Sequence, residues 1–389
     1  MTQMPPTTTY VNQNWLIFNS CALEIKRNGP SSDFVHNKCG VSMSLQNKFK
    51  NFHDAIKLGR KDLEYTTARL KDDSITTDIV NRFKEDGYPV IEDFIQGSLA
   101  TFTGIREKGQ DFDIDRAIVI EAELAPENPI TPKLAVLEVL EQRGFKNAKI
   151  KKPCVTADYK AEHLHIDIPI YRKYDNGQYE LAVGKRHSDE ENREWARASP
   201  RELIDWVNDY ASDEAYGSNK HNQYRRTVRY LKRWRNFTFG DDVRRKIHSI
   251  GIAVMVKESF KSSINDEGFP DDLTALRETI NHILNYRSYF TLVELDRYRV
   301  NVALPVSPNR DIFHCSSVAT GTQFRNKLNA LLKTLDNVSD EEQESKQCEL
   351  LRSVFGEDFP ECTATSSASS NAVKTVYASS GVVGTSQGA

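Results

Sequence analysis

A Gly-Ser pair and a set of alternating aspartates lie close together in this 389-residue chain. From Gly97-Ser98 the sequence runs G-S-L-A-T-F-T-G-I-R-E-K-G-Q-D-F-D-I-D, and an apolar segment at 117–120 follows at once. Glycine lets the backbone approach a phosphate, and the serine hydroxyl and turn amides can donate hydrogen bonds to it. Asp113 and Asp115 share one face of the predicted strand, where a divalent cation would neutralise them. The spacing predicts a turn that holds a triphosphate beside magnesium-binding carboxylates.

Asp111 lies on the same predicted face, so three alternating aspartates would also fit the solvated edge of a strand. The apolar segment at 117–120 argues instead for a strand that is buried on both faces. We therefore assign Asp113 and Asp115 as metal ligands and leave Asp111 out of the set.

A second alternating segment, H-L-H-I-D-I-P-I-Y, occupies residues 163–171. His163, His165 and Asp167 share one predicted strand face, and isoleucines form the other. Two histidines and a carboxylate could ligate a transition metal, but the sequence shows no fourth soft ligand. We favour the alternative, in which Asp167 is a third carboxylate beside the first two and the histidines line the cleft. Such a carboxylate can accept the proton of an attacking hydroxyl or orient that hydroxyl on a metal.

The segment 224–235 predicts a basic amphipathic helix. Arg225, Arg229 and Lys232 recur at helical spacing and form a positive stripe. Such a stripe is typical of a solvated helix face and sometimes of a nucleic-acid contact. The helix could instead face the predicted strands and offer Lys232 as a point charge to a triphosphate. The residues alone leave these alternatives open.

The elements that must position these residues are predicted from periodicity and stop signals. Strands are expected at 90–95, 113–120 and 178–183, the last after the turn dipeptide Asn176-Gly177. Helices are expected at 45–70, 74–86, 131–144, 200–211, 222–238, 243–260, 271–285 and 320–336. A β-rich first half and a helical second half predict an α+β protein with two lobes and a cleft between them. The lobes are expected to span 43–190 and 191–362, between an irregular segment 1–42 and a disordered tail 363–389.

Composition limits the function classes. The net charge of −3 excludes a polycation that coats nucleic acid. No apolar run reaches the ~18–20 residues that span a bilayer, and the first residues lack the layout of a secretion signal. The six cysteines show no C-x-x-C spacing, which favours reduced thiols over a disulfide framework or a zinc site. These features predict a cytoplasmic protein with no membrane partner.

The motifs G-S, D-I-D and H-I-D-I-P-I-Y together resemble the core of the DNA polymerase β-like nucleotidyltransferase superfamily. Softer matches at S-L-Q-N-K-F-K-N-F-H-D-A-I, W-A-R-A-S-P-R-E-L-I-D-W-V, Y-L-K-R-W-R and S-P-N-R-D-I-F extend the resemblance from about Leu45 to Leu335. They make the chain similar to the bacterial cyclic-oligonucleotide synthases related to cGAS, the DncV-like CD-NTases. The resemblance implies a bilobal fold with a mixed β-sheet catalytic lobe and a helical C-terminal lobe.

The resemblance also implies a set of residues that contact a nucleoside triphosphate or its metal ions. It assigns Gly97 and Ser98 to the triphosphate turn, Asp113, Asp115 and Asp167 to the metal, and Lys232 and Ser249 to the donor phosphates. Two Mg²⁺ ions are implied, with Mn²⁺ as a substitute. The departure from the family pattern is a fairly long insert between the turn and the first carboxylate.

The implied activity joins nucleoside triphosphates, ATP and GTP, into a cyclic di- or trinucleotide of the cyclic GMP-AMP type. Such a product is a second messenger in defence against phage, read by a downstream effector. The tail, which ends Gly388-Ala389, also matches relatives whose C-terminus is joined to other molecules by a ubiquitin-activation-like partner, although a frayed terminus explains it equally well. Two other functions stay open: a non-cyclising nucleotidyltransferase acting on RNA or another acceptor, and an inactive nucleotide-binding module.

Overall fold

The fold is described from a computed structural model, in which residues 32–58, 62–106, 112–159, 164–209 and 217–362 are placed. Asp111, His163 and the segment 363–389, which was predicted to be a disordered tail, lie outside these described residues. So does most of the segment 1–42.

The helices account for much of the described chain. They are α1 (Ser32–Ile56), α2 (Leu63–Glu85), α3 (Gly97–Ala100), α4 (Ile130–Gln142), α5 (Pro200–Asn208), α6 (Gly217–Thr238), α7 (Asp241–Arg244), α8 (Ser249–Ser259), α9 (Asp272–Asn285), α10 (Val318–Asp340) and α11 (Glu344–Phe355). The expectation of an irregular segment up to residue 42 is wrong for residues 32–42, which belong to α1. No proline lies between Pro30 and the end of α1 at Ile56, so the local sequence does not force the helix to begin as late as residue 44.

The strands are β1 (Val90–Gln96), β2 (Phe112–Glu121), β3 (Lys149–Ile150), β4 (Val155–Tyr159), β5 (Leu164–Ile168), β6 (Ile170–Lys173), β7 (Tyr179–Val183), β8 (Glu194–Ala198), β9 (Phe290–Glu294) and β10 (Arg297–Val300). Strands β1 to β8 form one mixed sheet around β2. β1 runs antiparallel to β2, whereas β5 and β6 follow each other in parallel along its other edge. The β-rich first half predicted from the sequence is therefore confirmed.

The sheet has one covered face and one face that carries the aspartates. Ile114, Ile118 and Ile120 of β2 are fully buried in a core that includes the apolar side chains of α2 and α4. Asp113 and Asp115 alternate with these residues and lie on the opposite face. The segment 117–120 is fully buried on both faces, as predicted.

The second half of the chain packs around α6. Tyr230 of α6 stacks on Phe52 of α1 with ring centroids 5.2 Å apart, and Phe355 and Phe359 pack against Phe52. This aromatic cluster joins α1, α6 and the end of α11 in one core. Sequence patterning missed α11 and the β9–β10 hairpin; most of β9 is exposed, so it lacks the alternation that marks a strand buried on one face.

The cysteines differ from the expectation of reduced thiols. Cys348 of α11 and Cys362 form a disulfide, with their Cα atoms 5.8 Å apart. The expectation is wrong for this pair because the chain reverses after α11 and brings together residues 14 positions apart. Among the described cysteines, Cys154 is a buried free thiol and Cys315 an exposed one.

Among the described residues, no helix combines the length and the apolar character that a membrane span requires.

Candidate active site

The Gly97-Ser98 turn lies directly beside the aspartates of β2. Gln96, the last residue of β1, is the register partner of Asp115, so the chain leaves β1 next to this carboxylate. Gly97 then adopts a φ of +65°, and a Cβ built there would overlap the Asp115 carboxylate. Only glycine permits this backbone to approach Asp115 so closely. The turn predicted from sequence therefore contacts the predicted metal ligand.

The three aspartates come from two adjacent parallel strands. Asp115 of β2 is the register partner of Asp167 of β5, and Asp113 is the register partner of His165. Neighbouring strands are about 4.8 Å apart, and side chains of register partners point to the same face. The structure thus places Asp113, Asp115 and Asp167 on one face, as the alternation predicted.

Asp115 is a buried carboxylate that lies close to two other negative charges. Its burial, together with the negative charges of Asp113 and Asp167, raises its pKa to about 7. A cation would relieve this conflict, and carboxylate oxygens are ligands that Mg²⁺ prefers. Asp113, Asp115 and Asp167 therefore have the chemistry to bind divalent ions.

Asp167 already has positively charged and hydrogen-bonding neighbours. Its Oδ1 lies 3.1 Å from Nε2 of His165 and accepts a hydrogen bond from Nζ of Lys151 at 3.3 Å. Burial alone would raise the pKa of Asp167, but His165 and Lys151 outweigh it and hold that pKa well below its usual range. Nδ1 of His165 contacts the Asp158 carboxylate in turn. His165 thus orients Asp167, a closer role than the lining role expected from the sequence.

Close groups of metal-binding side chains also occur elsewhere in the described chain. Two sets have ligand atoms within 4.8 Å of one another: Glu344 with Cys348 and Cys362, whose sulfur atoms are joined in the disulfide and are not metal ligands, and Glu121 with Glu123 and Asp175. Neither set includes the aspartates on β2 and β5. Next to Asp167, Lys151 supplies a positive charge, and hydrogen bonds to Asp167 and Asp158 raise the pKa of His165 in spite of its burial.

Lys232 of α6 is buried against the segment that follows the turn. Its Nζ donates to both the carbonyl oxygen and Oγ1 of Thr103, each at 3.0 Å. Burial, with the positive charges of Arg235 and Arg229, lowers the pKa of Lys232 to about 7, while Asp115 opposes this shift. A solvated face is excluded for Lys232 and Arg229, which are 4% and 8% exposed. Lys232 lies close enough to Asp115 to act electrostatically on the same site.

Ser249 is connected to this helix through another arginine. It is the first residue of α8, and its Oγ accepts a hydrogen bond from Nη1 of Arg235 at 2.7 Å. Arg235 follows Lys232 by three residues, so both lie on one side of α6. The structure places Ser249 beside the basic stripe and shows it half-buried.

Sequence reasoning missed Lys151 and Thr103. Neither lies in a recognisable motif, and each reaches the site only because distant elements pack together. Arg229 was noted as part of the basic stripe, but its contacts with the turn segment had no signal in the sequence.

One stretch of the sheet matches a known family. Residues 92–171 fit the family model described as Cyclic GMP-AMP synthase DncV-like, nucleotidyltransferase domain. A curated Cyclic GMP-AMP synthase of Escherichia albertii is 25% identical over 184 residues, which make up 45% of this chain and 38% of that protein. The match thus spans well under half of the relative's length.

Solved structures share the fold at low identity. The CD-NTase CdnG of Bradyrhizobium diazoefficiens, in complex with GTP, has a TM-score of 0.58 at 14% identity, over 79% of this chain and 94% of that chain. CdnC of E. coli MS115-1, in a complex with HORMA-deltaN, has a TM-score of 0.58 at 15% identity, over 81% of this chain and 98% of that chain. The predicted bilobal nucleotidyltransferase fold and the predicted resemblance are confirmed: residues 92–171 match the model of the DncV-like nucleotidyltransferase domain, and the chain has the fold of these CD-NTase structures.

Proposed function

We propose that this protein is a metal-dependent nucleotidyltransferase that joins nucleoside triphosphates into a cyclic di- or trinucleotide. The observation that carries this proposal is the arrangement around Asp115. This carboxylate is paired in register with Asp167, packed against Gly97 and within electrostatic reach of Lys232. Carboxylates for metal ions thus lie beside a turn and a lysine suited to phosphates.

In the proposed reaction a sugar hydroxyl of one nucleotide attacks the α-phosphate of another. A new P–O bond forms, the bond between the α- and β-phosphates breaks, and pyrophosphate leaves. Asp113, Asp115 and Asp167 would hold Mg²⁺, and the bound ions would supply Lewis-acid stabilisation of the negative charge that develops during transfer. The amides of the Gly97-Ser98 turn and the ammonium group of Lys232 would orient the triphosphate and offset its negative charge.

Asp167 has an orienting role in this proposal. Because His165 and Lys151 hold its pKa well below the usual range, Asp167 stays ionised at neutral pH and is a weak base. It therefore orients the attacking hydroxyl through a hydrogen bond, and the hydroxyl proton passes to solvent water as the new P–O bond forms. Repetition of the step with the two nucleotides in exchanged roles closes the ring.

The purified 389-residue protein should convert labelled ATP and GTP, with Mg²⁺, into a product that resists phosphatase. A chelator should abolish the product, and Mn²⁺ should restore it. Linear oligomers alone, or label transferred to added RNA, would support the non-cyclising alternative. Nucleotide binding with no turnover in either metal would support the inactive module.

The proposal extends to partners. ATP and GTP are the proposed substrates, and a relative has been solved in complex with GTP. A regulatory partner is also proposed, because CdnC forms a complex with a HORMA protein. Signalling against phage through a product-binding effector, and a partner acting on the C-terminal tail, are proposed on the family resemblance.

Gly97→Ala tests the contact between the turn and Asp115. We expect nucleotide transfer to fall about 100-fold, because a Cβ would displace a metal ligand by roughly 1 Å. Gly177→Ala is the matched control, because Gly177 also has a positive φ but faces open space in a hairpin turn. Both variants should lose about 1 kcal/mol of stability through backbone strain, and only the first should lose activity. Equal initial rates for the two variants would contradict this role of the turn.

A further inference from the structure

Side chains from the helical half of the chain bind the backbone of residues 100–104, at and after the end of α3. The carbonyl oxygen of Ala100 accepts a hydrogen bond from Nδ2 of Asn208 at 3.1 Å. The carbonyl oxygens of Phe102 and Gly104 both accept from the Arg229 guanidinium, at 2.6 and 3.0 Å. Backbone carbonyl groups that are removed from water need a hydrogen-bond donor, and a charged donor such as a guanidinium gives the stronger bond.

Arg229 links its own helix, α6, to two other segments, residues 102–104 and α1. Besides the carbonyl groups of Phe102 and Gly104, its Nη1 lies 3.0 Å from Nε2 of His53 in α1. The guanidinium is planar and has five N–H donors in a fixed geometry, so it can set the distance between two carbonyl groups in a way that an ammonium group cannot. Burial leaves the side chain little freedom to adopt other positions.

Phe102 adopts a backbone conformation that a side chain disfavours. Its φ is +55°, in the left-handed region, although it is not a glycine. Arg229 binds its carbonyl group, and the guanidinium carbon of Arg225 lies 4.4 Å from the centre of its ring. Two arginines of α6 thus stabilise this strained residue.

Thr103 lies between the two carbonyl groups that Arg229 binds. Its amide donates to the carbonyl oxygen of Ser98 at 2.9 Å, while its own carbonyl group and hydroxyl accept from Lys232. Thr103 therefore connects the triphosphate turn to the lysine. A shift of Phe102 or Gly104 would change the position of both.

We infer that Arg229 is a positioning residue, which fixes the Gly97-Ser98 turn relative to Lys232 through residues 102–104. The inference rests on the proposed function, because it assumes that the turn and Lys232 bind a triphosphate. Arg229 acts through the backbone and does not itself contact the nucleotide.

Calorimetry measures the affinity of the 389-residue protein for a non-hydrolysable GTP analogue with Mg²⁺. Lys232→Met should weaken binding about 50-fold, the loss of a charge-assisted contact. Arg229→Met should weaken it about 10-fold, and Arg229→Lys, which keeps the charge but loses the two-carbonyl geometry, about 3-fold. The double variant Arg229→Met with Lys232→Met should bind no more weakly than Lys232→Met alone, because both changes affect one contact.

Arg233→Met is the matched control, because Arg233 is a partly buried arginine of the same helix that pairs with Asp358. It should bind the analogue like the parent. Fully additive losses in the double variant, or normal binding by both Arg229 variants while Lys232→Met is weakened, would overturn the inference and leave the proposed function standing. Unchanged binding in Lys232→Met, or no binding by the parent protein, would overturn the phosphate site and the inference together.

Discussion

Replacement of Asp113 and Asp115 by asparagine together is expected to abolish nucleotide transfer, with a loss of about 10³-fold or more. Asparagine keeps the shape of the side chain but removes the negative charge that a divalent ion needs. Product formation from labelled nucleotides measures the loss. The fold should survive, because the change at Asp115 also removes the charge conflict with Asp167 that raises its pKa. We therefore expect a melting temperature no lower than that of the parent.

The control for this variant neutralises two carboxylates of another acidic group. Glu123→Gln with Asp175→Asn changes exposed side chains of the second close set and leaves β5 untouched. It should retain normal turnover. Turnover by the Asp113/Asp115 variant at the parental rate would show that these residues do not bind the catalytic metal.

The largest expected loss of stability follows from Arg116→Met. Arg116 of β2 is 5% exposed and lies on the face of the strand opposite Asp115. Its guanidinium donates hydrogen bonds to three carboxylates, those of Asp72 and Asp73 in α2 and of Asp93 in β1. Burial raises the pKa of Asp72 in spite of this arginine, so loss of the charge would leave a poorly compensated buried carboxyl group. We expect the free energy of unfolding to fall by about 3 kcal/mol, since Arg69 remains as a partner of Asp72. Denaturant unfolding measures the change.

A second variant distinguishes the loss of the ion pair from a loss of side-chain packing as the cause of the lower stability. Arg116→Met with Asp72→Leu removes both buried charges and should recover most of the lost stability. Arg297→Met, at an exposed pair with Glu294, should change stability by less than about 0.5 kcal/mol. If Arg116→Met unfolds at the parental denaturant concentration, the charge network does not fix β2 against α2.

Much of the candidate site could be predicted because it depends on short-range pattern. Alternation along a strand places Asp113 and Asp115 on the same face of β2, and it also fixes the face of β5 on which Asp167 lies. Both follow from neighbouring residues alone and do not depend on the rest of the chain. The apolar segment 117–120 identified β2 as a central strand, and its burial confirms this. The start of α1 was missed because no proline bounds it near residue 44, and the hairpin β9–β10 because most of β9 is exposed and shows no alternation. The helix α11 was also missed, although Gly356 follows it as a C-cap.

The sequence by itself therefore determined which residue types could bind metal and phosphate and which of them share a strand face. The tertiary structure alone decided their neighbours: the register of Asp115 with Asp167, the contact of Lys151 with Asp167, and the burial of Lys232 against Thr103. The two kinds of information differ because the interactions behind them act over different distances along the chain. Strand alternation acts between adjacent residues, whereas Lys232 and Thr103 are 129 positions apart and meet only when α6 packs against the turn.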